Sequence, residues 1–306
     1  ERLAFDEIFT NLLLMSSNRQ KINKIKKNQK VFDGTISKKI IENFGFDLTN
    51  DQLKTIDEIK RDLSSRKKMF RILQGDVGSG KTICAFISIS NSIESGYQCA
   101  FMAPTDILAK QHFISANKTF KDTNIKIAFL SGKTLIKDRK VIINDLKNGR
   151  IDLIIGTHAL FQKKILFKKL GLAIIDEQHK FGVRQRMNLS KKGGNNCDLL
   201  VMSATPIPRT MLLAIYGDMD VSRIYEKPKN RKEILTYSKS EKNISEVIEI
   251  VRKQIKLGNQ VFWICPLIKE SSFINHSSVE KRYLDLKKIF KDEMEILHGN
   301  IDGNSK

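Results

Sequence analysis

Met69-Phe70-Arg71-Ile72-Leu73-Gln74-Gly75-Asp76-Val77-Gly78-Ser79-Gly80-Lys81-Thr82-Ile83-Cys84-Ala85-Phe86-Ile87 opens on a short apolar run, passes through a glycine-rich octet and ends in a helical pattern. The run at 69–74 is uninterrupted enough to be a strand buried on both faces of a parallel sheet. Residues 75–82 satisfy G-x-x-x-x-G-K-[ST]. Strand, glycine-rich loop and helix in that order aim backbone N–H groups and a helix N-terminus at one point, a ready site for phosphate. Gly78 and Gly80 permit the positive φ such a loop needs. Lys81 is placed to reach the β and γ phosphates of a triphosphate, and Thr82 to ligate its magnesium ion. Gly75, Asp76, Val77 and Ser79 complete the loop.

A second apolar run, Leu172-Ala173-Ile174-Ile175, ends on Asp176-Glu177-Gln178-His179. That order puts two carboxylates at the C-terminal end of a parallel strand, where open α/β sheets place their ligands. Asp176 is expected to hold magnesium, directly or through water, and Glu177 to act as general base on an attacking water. Four polar residues can also simply end a strand and cap the next helix. The phosphate loop earlier in the chain favours the chemical role.

The chain has 306 residues, 41% of them apolar, which is material for one ordinary domain and part or all of a second. No apolar run is long enough to span a bilayer, and the charged, amphipathic start does not match a secretory signal. Cys84, Cys99, Cys197 and Cys265 are scattered and form no C-x-x-C pair, which suits reduced thiols in a cytoplasmic protein. The five His residues show no metal-ligand spacing. A net charge of +20, from 54 Lys and Arg against 34 Asp and Glu, suits a polyanionic partner. The abundance of Lys, Ile and Asn offers a second explanation of that surplus, in the base composition of the gene.

Along the chain, residues 1–45 read as a basic helical linker or brace, with Leu3, Phe5, Ile8 and Leu12 at helical spacing. The Lys-rich stretch 21–30 within it is expected to be a flexible charged loop. From 46 to 225 short strands, at 69–74, 98–103, 125–130, 151–155, 172–176 and 198–203, alternate with helices, the pattern of a parallel sheet covered on both faces. Residues 226–306 begin a second alternating segment. Its expected strands are 234–237, 260–265 and 295–298, with a helix at 244–257 and another between the last two strands.

The quoted segments carry a resemblance. Together with Arg2-Leu3-Ala4-Phe5, Met102-Ala103-Pro104-Thr105-Asp106-Ile107-Leu108-Ala109-Lys110-Gln111-His112, Gly156-Thr157-His158-Ala159-Leu160, Ser203-Ala204-Thr205-Pro206-Ile207-Pro208-Arg209-Thr210 and Tyr216-Gly217-Asp218-Met219-Asp220-Val221-Ser222, they make the chain resemble superfamily-2 helicases. Within these it is similar to the RecG family of bacterial branched-DNA helicases. That family usually has Arg at Lys180. The related transcription-repair coupling translocases typically have Glu at Gln178, which makes them the weaker match.

The resemblance implies a RecA-like parallel-sheet domain at 46–225, followed by the incomplete start of a second RecA-like domain at 226–306. It implies ATP and Mg2+ as cofactors, with Phe46 and Gln52 reading adenine ahead of the phosphate loop. A Gln side chain can pair bidentately with adenine N6 and N7. By the same resemblance Pro104, Thr105, Gly156, Thr157, His158 and Arg209 touch DNA, and Ser203 and Thr205 couple the nucleotide site to it. Small hydroxyls and free N–H groups suit phosphate contacts that carry no sequence information. The implied activity is that of an ATP-dependent DNA helicase on branched or forked DNA in recombination and stalled-fork repair. The family's N-terminal wedge and the second domain's later motifs with their arginine fingers are not in this sequence. Such a finger contributes roughly 10³ to 10⁵ in rate. The expectation is therefore a fragment that hydrolyses ATP slowly, a silent ATP- and DNA-binding remnant, or a chain completed by a complementary chain supplying the missing motor segment.

Overall fold

The computed structural model describes residues 24–176, 192–205, 219–227, 234–267 and 278–298, with scattered positions between 5 and 20. Contacts divide the chain into two units, Glu1–Lys232 and Glu233–Lys306.

The first unit holds seven strands: β1 (Phe70–Gly75), β2 (Gln98–Met102), β3 (Ile127–Leu130), β4 (Leu153–Gly156), β5 (Leu170–Ile175), β6 (Asp198–Ser203) and β7 (Asp220–Ile224). They form one sheet in the order β3-β4-β2-β5-β6-β1-β7. All its pairings are parallel. The first six fall within about two residues of the apolar runs that predict them. Parallel strands need helical crossovers to return to the same end. Three of these are α3 (Lys81–Glu94) between β1 and β2, α4 (Asp106–Thr119) between β2 and β3, and α5 (Ile136–Asn148) between β3 and β4, while α1 (Thr35–Phe44) and α2 (Asn50–Ser64) precede β1.

Side chains alternate along each strand, so each strand feeds two cores. Cys99, Phe101, Leu172, Ile174, Leu200 and Met202 pack with Ile40, Ile59, Ile83, Phe86 and Ala116 from α1 to α4. Ala100, Met102, Ala173, Ile175, Leu199 and Val201 pack with Leu146, Leu160 and Ile165 on the other face. Helix α3 is buried along most of its length. Its Ser88 and Ser90 hydroxyls are satisfied by donating to the carbonyls of Cys84 and Ile87, at 2.7 and 2.8 Å. Truncating one such core residue, Phe86→Ala for example, costs about 3–5 kcal/mol.

Two features depart from the sequence-based expectation in this unit. Strand β7 is absent from it, because Asp220-Val221-Ser222-Arg223-Ile224 is too polar to read as a buried run. It pairs with β1 at the sheet edge, and its Ser222 and Arg223 side chains are hydrogen-bonded to β1. The Ser222 hydroxyl accepts from Arg71 Nη1 at 2.8 Å, and Arg71 also donates to Asp62 at 2.7 Å and Glu58 at 3.2 Å on α2.

The second departure lies in the Lys-rich stretch. Lys27 and Lys30 are not part of a solvated loop. Both ammonium groups lie 2.6 Å from Asp198 Oδ2, with all three side chains shielded from solvent. Asp198 sits at the buried start of β6, where its carboxylate needs charged partners. Its Oδ1 accepts the Met69 N–H at 2.7 Å. Burial pulls the Lys27 ammonium below its ordinary pKa, and the Asp198 carboxylate pulls it back up.

In the second unit the helices α6 (Ile244–Lys256) and α7 (Val279–Phe290) form, both where the sequence leads one to expect a helix. The described residues of 234–237, 260–265 and 295–298 belong to no strand. A strand exists through its ladder, and the pairing among the described residues of this unit is one isolated parallel bridge, Leu267 to Ser278. No described helix in either unit is long and apolar enough to cross a membrane.

Candidate nucleotide and nucleic-acid site

The sheet order makes β5, β6 and β1 consecutive neighbours. Their C-terminal ends carry Asp176, Ser203 and Gly75, so residues far apart in sequence meet along one edge. Adjacent strands lie about 4.8 Å apart, which puts the carboxylate strand and the phosphate-loop strand about 10 Å apart.

The loop itself is tightly built. Gly80 has φ 88, in the left-handed region, and a Cβ there would sit 2.2 Å from Gln52 Nε2. Gln52 closes a capping box at the start of α2 with Thr49. Its Oε1 accepts the Thr49 N–H at 2.9 Å, and its Nε2 donates to the Ser79 carbonyl at 2.8 Å. Lys81 folds back over the loop and donates to the carbonyls of Gly75 at 2.7 Å and Asp76 at 2.9 Å. Thr82 is half-buried in the first turn of α3.

These residues fit a triphosphate. The Ser79 hydroxyl is buried in the loop with no hydrogen-bond partner among the described residues. An orphan hydroxyl, a lysine held on its own loop carbonyls and a helix N-terminus together form a donor set for a polyanion. Phe46 is 62% exposed, its ring edge-on to Phe44 at 5.7 Å. An exposed aromatic face is a stacking surface. Gln52, in contrast, has both ends of its amide engaged within the chain.

Asp176 is buried and anchored twice, to the end of β2 and to α4. Its N–H donates to the Met102 carbonyl at 2.8 Å, and its Oδ2 lies 2.7 Å from His112 Nε2 on α4. The His112 ring packs on Phe101, centroids 4.6 Å apart. His112 lies within a quoted sequence segment, but which face of α4 it occupies emerges only from packing. Glu177, the expected base, and Arg209 lie outside the described residues, as do Gln178 and Lys180.

The described residues that the resemblance assigns to DNA lie on the same edge. Pro104 and Thr105 join β2 to α4, and Thr105 caps that helix by accepting the Leu108 N–H at 3.3 Å. Gly156 ends β4, where a Cβ would meet the Leu130 carbonyl oxygen at 2.0 Å. Thr157 is buried, with its hydroxyl unpartnered among the described residues, and His158 is exposed at the start of a short 3-10 turn. Ser203 Oγ lies 3.0 Å from Thr205 Oγ1. Sequence reasoning also missed Gln74. Its Nε2 donates to the Thr205 carbonyl at 3.2 Å, and its Oε1 accepts from Arg223 Nε at 3.3 Å. The residue before the phosphate loop thus ties β1 to the end of β6 and to β7.

The DEAD/DEAH box helicase family matches residues 49–213, a span that contains the phosphate loop, Asp176 and Ser203-Ala204-Thr205. The chain belongs to the DEAD/DEAH box helicase family. Among helicases of this family it is 44% identical to the ATP-dependent DNA helicase RecG of Thermotoga maritima, over 100% of the chain and 39% of the relative. It is 40% identical to RecG of Bacillus subtilis, over 98% of the chain and 45% of the relative. The chain thus spans less than half the length of these curated relatives. A solved structure of RecG bound to a three-way DNA junction matches with a TM-score of 0.79 at 42% identity, covering 94% of the chain and 38% of that protein. The DEAD-box helicase Mss116 bound to single-stranded RNA shares the fold, with a TM-score of 0.55 at 24% identity over 74% of the chain and 51% of that protein. The parallel sheet and its flanking helices are the RecA-like α/β fold of such helicases.

Proposed function

We propose that the chain is the motor portion of an ATP-dependent DNA helicase of the RecG type, acting on branched or forked DNA in recombination and fork repair. The observation that carries this is the single sheet edge. On it the phosphate loop, Asp176 and the loops after β2, β4 and β6 stand side by side, in a chain 44% identical to a RecG helicase. The bound three-way junction in the RecG structure favours branched DNA as the partner. The surplus of positive charge suits it too.

In this proposal the loop N–H groups, the Ser79 hydroxyl and the Lys81 ammonium hold the phosphates of ATP, Phe46 addresses its base, and Gln52 would read adenine only by exchanging its bonds to Thr49 and Ser79. Thr82 and Asp176 would hold a magnesium ion, whose chemistry is to neutralise charge on the phosphate oxygens. Glu177 takes the proton of the water that attacks the γ-phosphate. Pro104, Thr105, Gly156, Thr157, His158 and Arg209 contact DNA phosphates. Ser203 and Thr205, tied to the phosphate-loop strand through Gln74, relay between the two sites. Residues 46–225 form the ATP-binding domain, 1–45 its brace and 226–306 the start of the second motor domain. Buried free thiols at Cys84, Cys99 and Cys197 favour a reducing, cytoplasmic setting.

The test is steady-state ATP hydrolysis with and without a three-way DNA junction. Turnover stimulated by the junction more than by linear duplex supports a RecG-type motor. ATP binding without turnover, with or without DNA, would instead make the chain a silent nucleotide binder.

A further inference from the structure

We propose that His112 is a positioning residue that locks the Asp176 carboxylate to the β2–α4 segment, so that contacts at Pro104-Thr105 are felt at the magnesium side of the nucleotide site. Asp176 is tied to that segment twice, and the two ties come from opposite ends of it. Its backbone N–H donates to the Met102 carbonyl at 2.8 Å, before the Pro104-Thr105 loop. Its carboxylate lies 2.7 Å from His112 Nε2, beyond that loop on α4. The two side chains are 10% and 13% exposed. A hydrogen bond so shielded from water is stronger and more directional than one at the surface.

The helix between these points can transmit displacement. Thr105 caps α4, and His112 follows seven positions later by residue number, on the same helical stripe. At 1.5 Å per residue that is a rigid span of about 10 Å. The ring of His112 is wedged on Phe101, which is buried in β2, and its neighbour Phe113 packs on Phe129 of β3 with centroids 5.6 Å apart. The middle of α4 is thereby seated on the sheet, while its capped end stands on the edge assigned to DNA. A shift of that end tilts the helix on its packed middle and presses the imidazole against the carboxylate. Groups that orient a metal-binding carboxylate typically change metal affinity 10–100-fold when removed.

This inference rests on the nucleotide and DNA assignments above, so its test separates them. Binding of a fluorescent ATP analogue to the full chain is measured across a magnesium titration and in EDTA. His112→Ala is expected to raise the half-saturating magnesium concentration about 10-fold or more, with affinity in EDTA unchanged. His112→Gln, whose Nε2 reaches the same point as the imidazole Nε2, is expected to recover most of the loss. Adding a three-way junction should strengthen magnesium-dependent binding in the parent and in His112→Gln, but not in His112→Ala. A parental magnesium profile in His112→Ala would overturn the proposal while leaving the nucleotide site standing. Equal impairment of the Ala and Gln variants would overturn it too, by showing that ring packing alone matters. A parent chain that binds no nucleotide would remove the underlying assignment and the inference with it.

Discussion

Gln52 Nε2 donates to the Ser79 carbonyl at 2.8 Å, which joins the first turn of α2 to the phosphate loop. Because Gln52 Oε1 also closes the capping box on Thr49, the loop inherits the rigidity of a helix start. The geometry leaves no room at Gly80, where a Cβ would lie 2.2 Å from that same amide.

Gly80→Ala should therefore fail twice, by backbone strain at φ 88 and by expelling Gln52. The backbone term alone is about 1–2 kcal/mol. Nucleotide affinity is expected to fall at least 10-fold while the far side of the sheet stays folded. Titration with a fluorescent ATP analogue checks the first part, and hydrogen exchange of β3 and β4 the second. Parental affinity would mean the loop is softer than its contacts imply.

The Lys27–Asp198–Lys30 cluster allows a sharper contrast. Asp198→Ala strands two buried ammonium groups and should cost about 3–5 kcal/mol. Lys27→Met leaves Asp198 paired with Lys30 at 2.6 Å and fills the same volume. It is expected to cost under about 1 kcal/mol, or to stabilise. Urea unfolding of both variants decides, and equal losses would refute the shared-carboxylate arrangement.

The thiols give a pH dependence with a definite sign. Burial pushes Cys84 from 9.0 up to about 12. Between those values the folded chain keeps a proton that the unfolded chain releases, so this contribution is whole below pH 9 and is lost as pH rises towards 12. The stability of the parent relative to Cys84→Ala should fall across that window, and a flat difference would contradict it. Only the half-buried Cys265 should react readily with a thiol reagent in the native chain.

Glu177→Gln should retain MgATP binding and lose turnover by about 10² to 10⁴. Hydrolysis at the parental rate would remove Glu177 as the base.

Much of the fold was legible because buried parallel strands announce themselves as apolar runs. Leu172-Ala173-Ile174-Ile175 needs no tertiary knowledge to be read as one. Strand β7 was not legible, since Ser222 and Arg223 are buried or half-buried through hydrogen bonds instead of hydrophobicity. Lys27 and Lys30 look like any solvated lysine until Asp198, distant in sequence, is brought beneath them. The phosphate loop was legible because its chemistry is local. His112 was not, because its partner sits on another strand and the helix face depends on packing. In the second unit the apolar segments at 260–265 and 295–298 read as strands, yet among the described residues they have no ladder to make them so.

The most direct test of the nucleotide site is calorimetric titration of a non-hydrolysable ATP analogue with magnesium into the chain and into Lys81→Ala. One saturable site in the parent, lost in Lys81→Ala and weakened when magnesium is withheld, is the predicted result. Undiminished binding by Lys81→Ala, or none by the parent, would contradict it.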